Sequence, residues 1–364
     1  MRDMTLPFDD LPDLPPLAPV ETAPVLKRAV AAHRALARLR AAAAALPDQT
    51  VLVNALPLLE ARASSEIENI VTTTDALFRA DALARTDDPA AKEALRYRAA
   101  LRHGVDAMRD RPLTTNLMRD LCSIVTGVEM DVRATPGAVL RNDRTGDVVY
   151  APPSGAALLR DRLAAWERFA HGADDLDPLV RIALLHYQFE AIHPFPDGNG
   201  RTGRILNLLL LLDADLLDSP ILYLSGYLLE TRSDYYRLLR AVTAEGAWED
   251  WVIYMLEGVR STAEATTATV QAIRQLMTAA AAIVRDVVPA AVAAPLTDVV
   301  FARPYCRIGD VVDAGIAQRQ RASDHLKALV RAGVLEEHRA HRDRIFLNRA
   351  LIEALGAPVL RQDR

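Results

Sequence analysis

Along this chain the apolar positions fall mainly at three- and four-residue spacing, the period of helices that bury one face. VLKRAVAAHRALARLRAAAAA at 25–45 predicts a helix that Leu46-Pro47-Asp48 stops. VLVNALPLLEARASSEIENI keeps that period to Ile70, and Thr72, Thr73, Thr74 and Asp75 supply a cap for the next helix. Further helices are predicted at 114–128, 156–171 and 179–193, the last of these, LVRIALLHYQFEAIH, apolar almost all round and stopped by Pro194. RTGRILNLLLLLDADLL at 201–217 is a second strongly apolar helix, so a short polar loop separates two segments that both belong in a core. Residues 234–260 continue the helical layer, and the Ala/Thr-rich stretch 261–288 reads as a connector ahead of Pro289 and Pro295.

The helical period fails at RATPGAVLRNDRTGDVVYAPPSG, 133–155. Turn chemistry at Asp143-Arg144-Thr145-Gly146 and the β-branched pair Val148-Val149 predict a two-stranded hairpin, which Pro152-Pro153 cuts short. A lone ribbon is only marginally stable, so it leans on the helices and keeps an edge free for pairing. Residues 1–24 are Pro-rich and aperiodic, an extended strap expected to lie on the first helical layer. The chain therefore divides into an N-terminal helical extension (1–110), a core (111–260), a helical linker (261–295) and a C-terminal module (296–364).

Composition supports this picture and narrows little else. With 364 residues, 51% apolar and only 5% aromatic, the chain suits two or three helix-rich modules. A formal charge of −5 gives no global pull toward nucleic acid or anionic membrane. Cys122 and Cys306 are too few for a disulfide framework, and the acidic, Pro-rich start does not read as a secretory signal. No apolar run approaches the roughly twenty residues a membrane span needs. A soluble cytoplasmic protein is the expectation.

The chemistry concentrates in residues 193–204, His-Pro-Phe-Pro-Asp-Gly-Asn-Gly-Arg-Thr-Gly-Arg. Gly198 and Gly200 let successive backbone N–H groups face one concavity, and the helix that opens there adds the positive end of its dipole. Arg201 and Arg204, three apart on its first turn, can both reach one polyphosphate. Asp197, the loop's only carboxylate, is a hard oxygen ligand of the kind Mg²⁺ uses beside phosphates. His193 has the ordinary pKa to accept a proton from an attacking hydroxyl and is the candidate general base. Phe195 is expected to turn inward as a pin. A lone histidine there would be a helix C-cap and lone glycines a turn; seven such residues within one loop argue for a site. His186 and His193 match no common zinc spacing, and the Gly-Lys-Ser/Thr ending of a Walker loop is missing.

At these residues the chain resembles the Fic family, whose signature HxFxDGNGRxxR is met at every specified position. LPPL at 14–17, EARASSEIENI, the hairpin and Tyr235-Tyr236 through Trp251 extend the likeness along most of the chain. The resemblance implies an all-α, Fic-type helical bundle with a short β-hairpin flap that aligns a target protein at 136–153 by strand addition. It also implies AMP transfer from Mg-ATP to a Ser, Thr or Tyr hydroxyl, with pyrophosphate leaving. His193 would then act as base, Asp197 would hold Mg²⁺, and Gly198, Asn199, Gly200, Arg201, Thr202, Gly203 and Arg204 would line the nucleotide site with Tyr236. Relatives that phosphorylate instead carry Lys where this chain has Gly200. Thr231 and Arg232 stand where Asn and Lys would be expected.

Ser64-Ser65-Glu66-Ile67-Glu68-Asn69 is similar to the (S/T)xxxE(G/N) inhibitory motif of the same family. Ser64 and Glu68 are four apart on one helix face, so Glu68 can pair with Arg204 and deny it to the γ-phosphate. Residues 299–349 resemble a winged helix-turn-helix, with ten Arg/Lys against six Asp/Glu and Arg319, Arg321, Lys327 and Arg331 on or beside the candidate recognition helix. Such a module serves DNA contact, protein docking or a homodimer surface. Two readings thus stay open: a self-inhibited protein adenylyltransferase, or a DNA-binding regulator whose loop only senses nucleotide.

Overall fold

A computed structural model of the chain describes residues 6–356, apart from 136, 142–145, 147, 173–174 and 341–342. It begins with α1 (Ala23–Ala44), α2 (Thr50–Ile67), α3 (Thr74–Leu83), α4 (Pro89–Ala107) and α5 (Thr115–Thr126). Local chemistry sets their ends. Thr73 Oγ1 accepts from Ala76 N, Asp88 Oδ1 from Ala90 N with Pro89 as the next residue, and Gly127 closes α5 at φ +77°; each side-chain cap stabilises by about 1 kcal/mol.

The hairpin follows as β1 (Leu140–Arg141) and β2 (Val148–Tyr150), antiparallel with one register irregularity. Residues 143–145 of its expected turn lie outside the described residues. Next come α6 (Ala156–Ala170), α7 (Pro178–Ile192) and α8 (Asn199–Asp213), with α7 and α8 packed as the central pair. The apolar α7 is buried on nearly every face, and Trp166 and Trp251 donate their indole N–H groups to its Leu185 and Ala183 carbonyls. α8 begins at Asn199, two residues earlier than its apolar period, because Gly198 at φ +77° serves as its cap.

α9 (Leu224–Glu230), α10 (Arg232–Glu245) and α11 (Trp248–Val287) complete the layer. α11 is one unbroken helix of 40 residues, so the chain does not pause near 261; the break falls earlier, at Gly246 in the left-handed region. Its buried positions recur at helical spacing from Trp251 to Val284, and α1 packs along it.

α12 (Ala290–Ala302), β3 (Tyr305–Arg307), α13 (Ile308–Asp313), α14 (Arg319–Arg331), β4 (Glu336–Ala340), β5 (Asp343–Leu347) and α15 (Arg349–Gly356) form the C-terminal part. Its three strands are antiparallel in the order β3-β5-β4. This part docks on the N-terminal helices: Asn54 of α2 donates to the Ala302 carbonyl at 3.0 Å, and Tyr305 Oη donates to Asp75 at 2.6 Å. The strap takes a different course from the expected one. Phe8 N donates to the Ala151 carbonyl, Asp9 accepts from Ser154 N, and Arg162 of α6 pairs with Asp13, so the strap's acidic residues lead it to the root of the hairpin.

Candidate functional site

His193 is the C-cap of α7, at φ +49° and ψ +59°, a left-handed conformation that costs a residue with a Cβ about 1–2 kcal/mol. Its N–H closes the helix on the Phe189 carbonyl, while Arg133 Nε donates to the His193 carbonyl at 2.8 Å. The imidazole is half-buried at the end of α7. Burial first, and the Arg133 charge second, lower its pKa to about 4. It is a neutral imidazole at pH 7, with a lone pair to offer.

Phe195 is fully buried, and Asn199 braces the loop around it. Asn199 Oδ1 accepts from Phe195 N at 2.8 Å and its Nδ2 donates to the Phe195 carbonyl at 2.7 Å. Both polar atoms of the Asn199 side chain thus engage the loop backbone, because a six-residue connection between two buried helices must satisfy its own N–H and C=O groups. Thr202 and Gly203 are likewise buried; a Cβ on Gly203 would run into the Glu190 carboxylate. What remains for an anion is backbone: the first N–H groups of α8 have no intrahelical acceptor. Gly198 must be glycine on two counts, its φ and the 2.8 Å that would separate a Cβ from Thr126 Cγ2.

The two arginines converge. Arg204 donates from Nη2 to Glu68 Oε1 at 2.7 Å and from Nε to Ser64 Oγ at 2.7 Å, and a further bond reaches the Ser64 carbonyl. Arg201 Nε lies 3.6 Å from Glu68 Oε2, while its Nη1 holds Glu93 at 2.6 Å and its Nη2 lies 3.4 Å from Asp197. One carboxylate therefore sits between two buried guanidiniums, in the position an anion would occupy. Burial alone would lower the Arg204 pKa, but Glu68 beside it raises it, so the guanidinium stays charged. A Cβ built on Gly200 would stand 2.5 Å from Glu68 Oε1, so Gly200 makes the space that the carboxylate fills.

Asp197, two-thirds exposed at its side chain, takes Gly198 N and Arg201 on Oδ1. A single exposed hard carboxylate beside a cationic cradle fits a cation shared with phosphate oxygens, and no cluster of three ligating side chains occurs among the described residues. Tyr236 is 46% exposed with the Arg232 guanidinium over its ring, whereas Tyr235 is buried and bonded to His186. Of the pair, Tyr236 is the one that reaches solvent. Arg232 also donates to Asn69 Oδ1, tying α10 to the turn after Glu68.

Sequence reasoning missed four residues here. Arg133, Glu93 and Glu60 act from other elements, and nothing in their local pattern marks them. Glu60, fully buried on α2, accepts from Ser225 N at 2.8 Å and from Tyr97 Oη at 3.2 Å, also bonds Ser225 Oγ, and has its pKa raised to about 7 by burial. It anchors the helix that presents Ser64 and Glu68. Glu190, one turn before His193, has its pKa raised to about 7 by burial, and its Oε1 has no partner among the described residues. A lone carboxylate in an otherwise apolar helix was its one visible sign.

A helical protein whose glycine-lined loop opens a buried helix, with two buried arginines of that helix paired to a carboxylate at the end of another, is the class that fold and site define. The Fic/DOC family model matches residues 112–211, the Fic/DOC N-terminal model 26–106, and a C-terminal domain model of SoFic-like protein adenylyltransferases 276–351. The chain belongs to the Fic/DOC family. It is 32% identical over 125 residues to a protein adenylyltransferase Fic of Drosophila virilis, spanning 34% of this chain and 24% of that protein. With the Drosophila sechellia protein of the same name it shares 39% identity over 88 residues, 24% of this chain and 16% of that one. The chain thus spans about a quarter or less of the curated relatives it matches. A Fic family protein from Desulfovibrio desulfuricans shares its fold at a TM-score of 0.58 and 19% identity, covering 90% of this chain and 96% of that one. A Fic domain-containing signalling protein from Bacteroides thetaiotaomicron does so at 0.54, covering 66% and 96%.

Proposed function

We propose that the chain is a self-inhibited protein adenylyltransferase. The observation that carries this reading is the convergence of Arg201 and Arg204 on Glu68, at the mouth of α8 and beside a neutral His193. Once Glu68 leaves, the two guanidiniums and the free N–H groups of α8 offer a triphosphate the charge and donors it needs. His193 takes the proton of a Ser, Thr or Tyr hydroxyl, whose oxygen bonds to the α-phosphorus as the bond to the β,γ-pyrophosphate breaks. Mg²⁺, held by Asp197 and phosphate oxygens, would neutralise charge on the leaving group. Tyr236 supplies a ring face for the base. Most of the acceleration comes from positioning and charge.

The remaining assignments belong to the same reading. The division at 110, 260 and 295 places the catalytic core and the linker on the shared helix α11. The three-stranded C-terminal part is read as a winged helix that docks protein, since its matched relatives are named for adenylyl transfer and the DNA-binding alternative finds no support. The target segment is expected at the 136–153 hairpin. Cys122 and Cys306, both free and buried, suit a reducing cytoplasm, and no described helix is long and apolar enough to cross a membrane.

Incubating the purified chain with α-labelled ATP and Mg²⁺, alone and with lysate, tests the reading. Label should appear on protein and vanish in His193→Ala. No transfer from either wild type or Glu68→Gly would reject it.

A further inference from the structure

The carbonyls of Ala191 and Ile192 at the end of α7, and those of His193 and Pro194 just beyond it, have no later turn of helix to bond to. All four are taken by the segment that carries the hairpin. Tyr150 of β2 donates its hydroxyl to the Ala191 carbonyl at 2.7 Å. Arg133 donates from Nη2 to Ile192 O at 3.3 Å and from Nε to His193 O at 2.8 Å, and its backbone N–H reaches Pro194 O at 2.9 Å. The same Nη2 also donates to Pro153 O at 2.5 Å, on the far side of the hairpin. The strap adds Phe8 N to Ala151 O. One buried guanidinium, 6% exposed, therefore joins both roots of the hairpin to the residue that bears the imidazole.

We infer that Arg133 is a positioning residue, which holds His193 in its left-handed conformation and locks the imidazole to the hairpin roots, so that base and docked target move as one unit. The inference rests on the proposed transferase reading for its kinetic consequence, though not for the coupling itself. A plain helix cap would not serve as well: Lys has no planar fork and could not span Pro153 O and His193 O together, whereas the guanidinium does both with its charge spread. Arg133 touches no reacting atom. Glu68, which must leave for nucleotide to enter, contacts neither Arg133 nor the carbonyls it holds, so the lock persists when the plug opens.

The test uses the full chain. Hydrogen exchange at amides 189–199 and 148–155 is compared in wild type, Arg133→Gln, Arg133→Lys and Tyr150→Phe. Arg133→Gln should speed exchange in both segments together, with Lys restoring part of the protection and Tyr150→Phe losing less. In the Glu68→Gly background, Arg133→Gln should lower kcat for AMP transfer by about ten- to a hundredfold, the cost of a misplaced base, with KM for ATP within about twofold. Tyr150→Phe, which deletes one hydroxyl, keeps the measurement meaningful if Arg133→Gln folds poorly. Exchange confined to one segment, or a rise in KM for ATP with kcat preserved, would overturn the inference. A silent Glu68→Gly parent would sink the transferase reading alone, while the exchange data would still decide the coupling.

Discussion

Two segments meet the 193–204 loop at its two ends, and they do so by different physics. The end of α2 meets it through charge: Glu68 between Arg201 and Arg204, with Ser64 beside them. The hairpin roots meet it through Arg133 and Tyr150, which donate to carbonyls at the end of α7. The first contact is one an anion can replace, because a phosphate offers the guanidiniums the same partner. The second has no competitor in the reaction. On the proposed reading, the first contact is a removable plug and the second a lasting brace.

The sharpest way to break that contrast is to remove the base. His193→Ala should reduce AMP transfer by at least about a hundredfold while a fluorescent ATP analogue still binds, and loss of binding instead would mean that the imidazole belongs to the cradle. Glu68→Gly should act in the opposite direction, raising self-labelling by about ten- to a hundredfold, the span of a typical coupling between sites. Equal labelling by wild type and this variant would show that the plug does not restrain the enzyme.

The acid limb of the pH profile sharpens the comparison further. Only the neutral imidazole accepts a proton, and burial with Arg133 holds its pKa down at about 4. In a Glu68→Gly/Glu190→Gln background, which removes a neighbouring carboxyl raised to about 7, kcat/KM should stay flat from pH 7 to below 6 and fall near 4. A midpoint at the ordinary histidine value near 6.5 would contradict the environment described. The smallest effect belongs to Ser64→Ala, which loses one hydrogen bond to Arg204 and leaves the ion pair. Self-labelling should rise by about two- to tenfold, and a change as large as that of Glu68→Gly would move the restraint from the carboxylate to the hydroxyl.

Much of the architecture was legible because it is written in local periods. The apolar pair 179–193 and 201–217, the cap at Thr73, and the hairpin at Val148-Val149 each follow from neighbours within a few residues. The 40-residue α11 was less so: an Ala/Thr-rich composition reads equally as connector and as continuation, and packing on α1 decides between them.

The chain by itself determined which groups the loop holds, a histidine, an aspartate, glycines and arginines at spacings that suit an anion site. It also brought Ser64 and Glu68 within reach of one partner, although α2 ends at Ile67 and Glu68 is its C-cap rather than a residue on its face. Only the tertiary structure decided how those groups are shared. Asn199 turned to brace Phe195, Arg201 turned to Glu93, and Arg133, sixty residues before His193, became its holder. The reason is that a buried polar group must find a partner wherever the fold brings one, and helix packing, not local spacing, brings distant partners within hydrogen-bond reach.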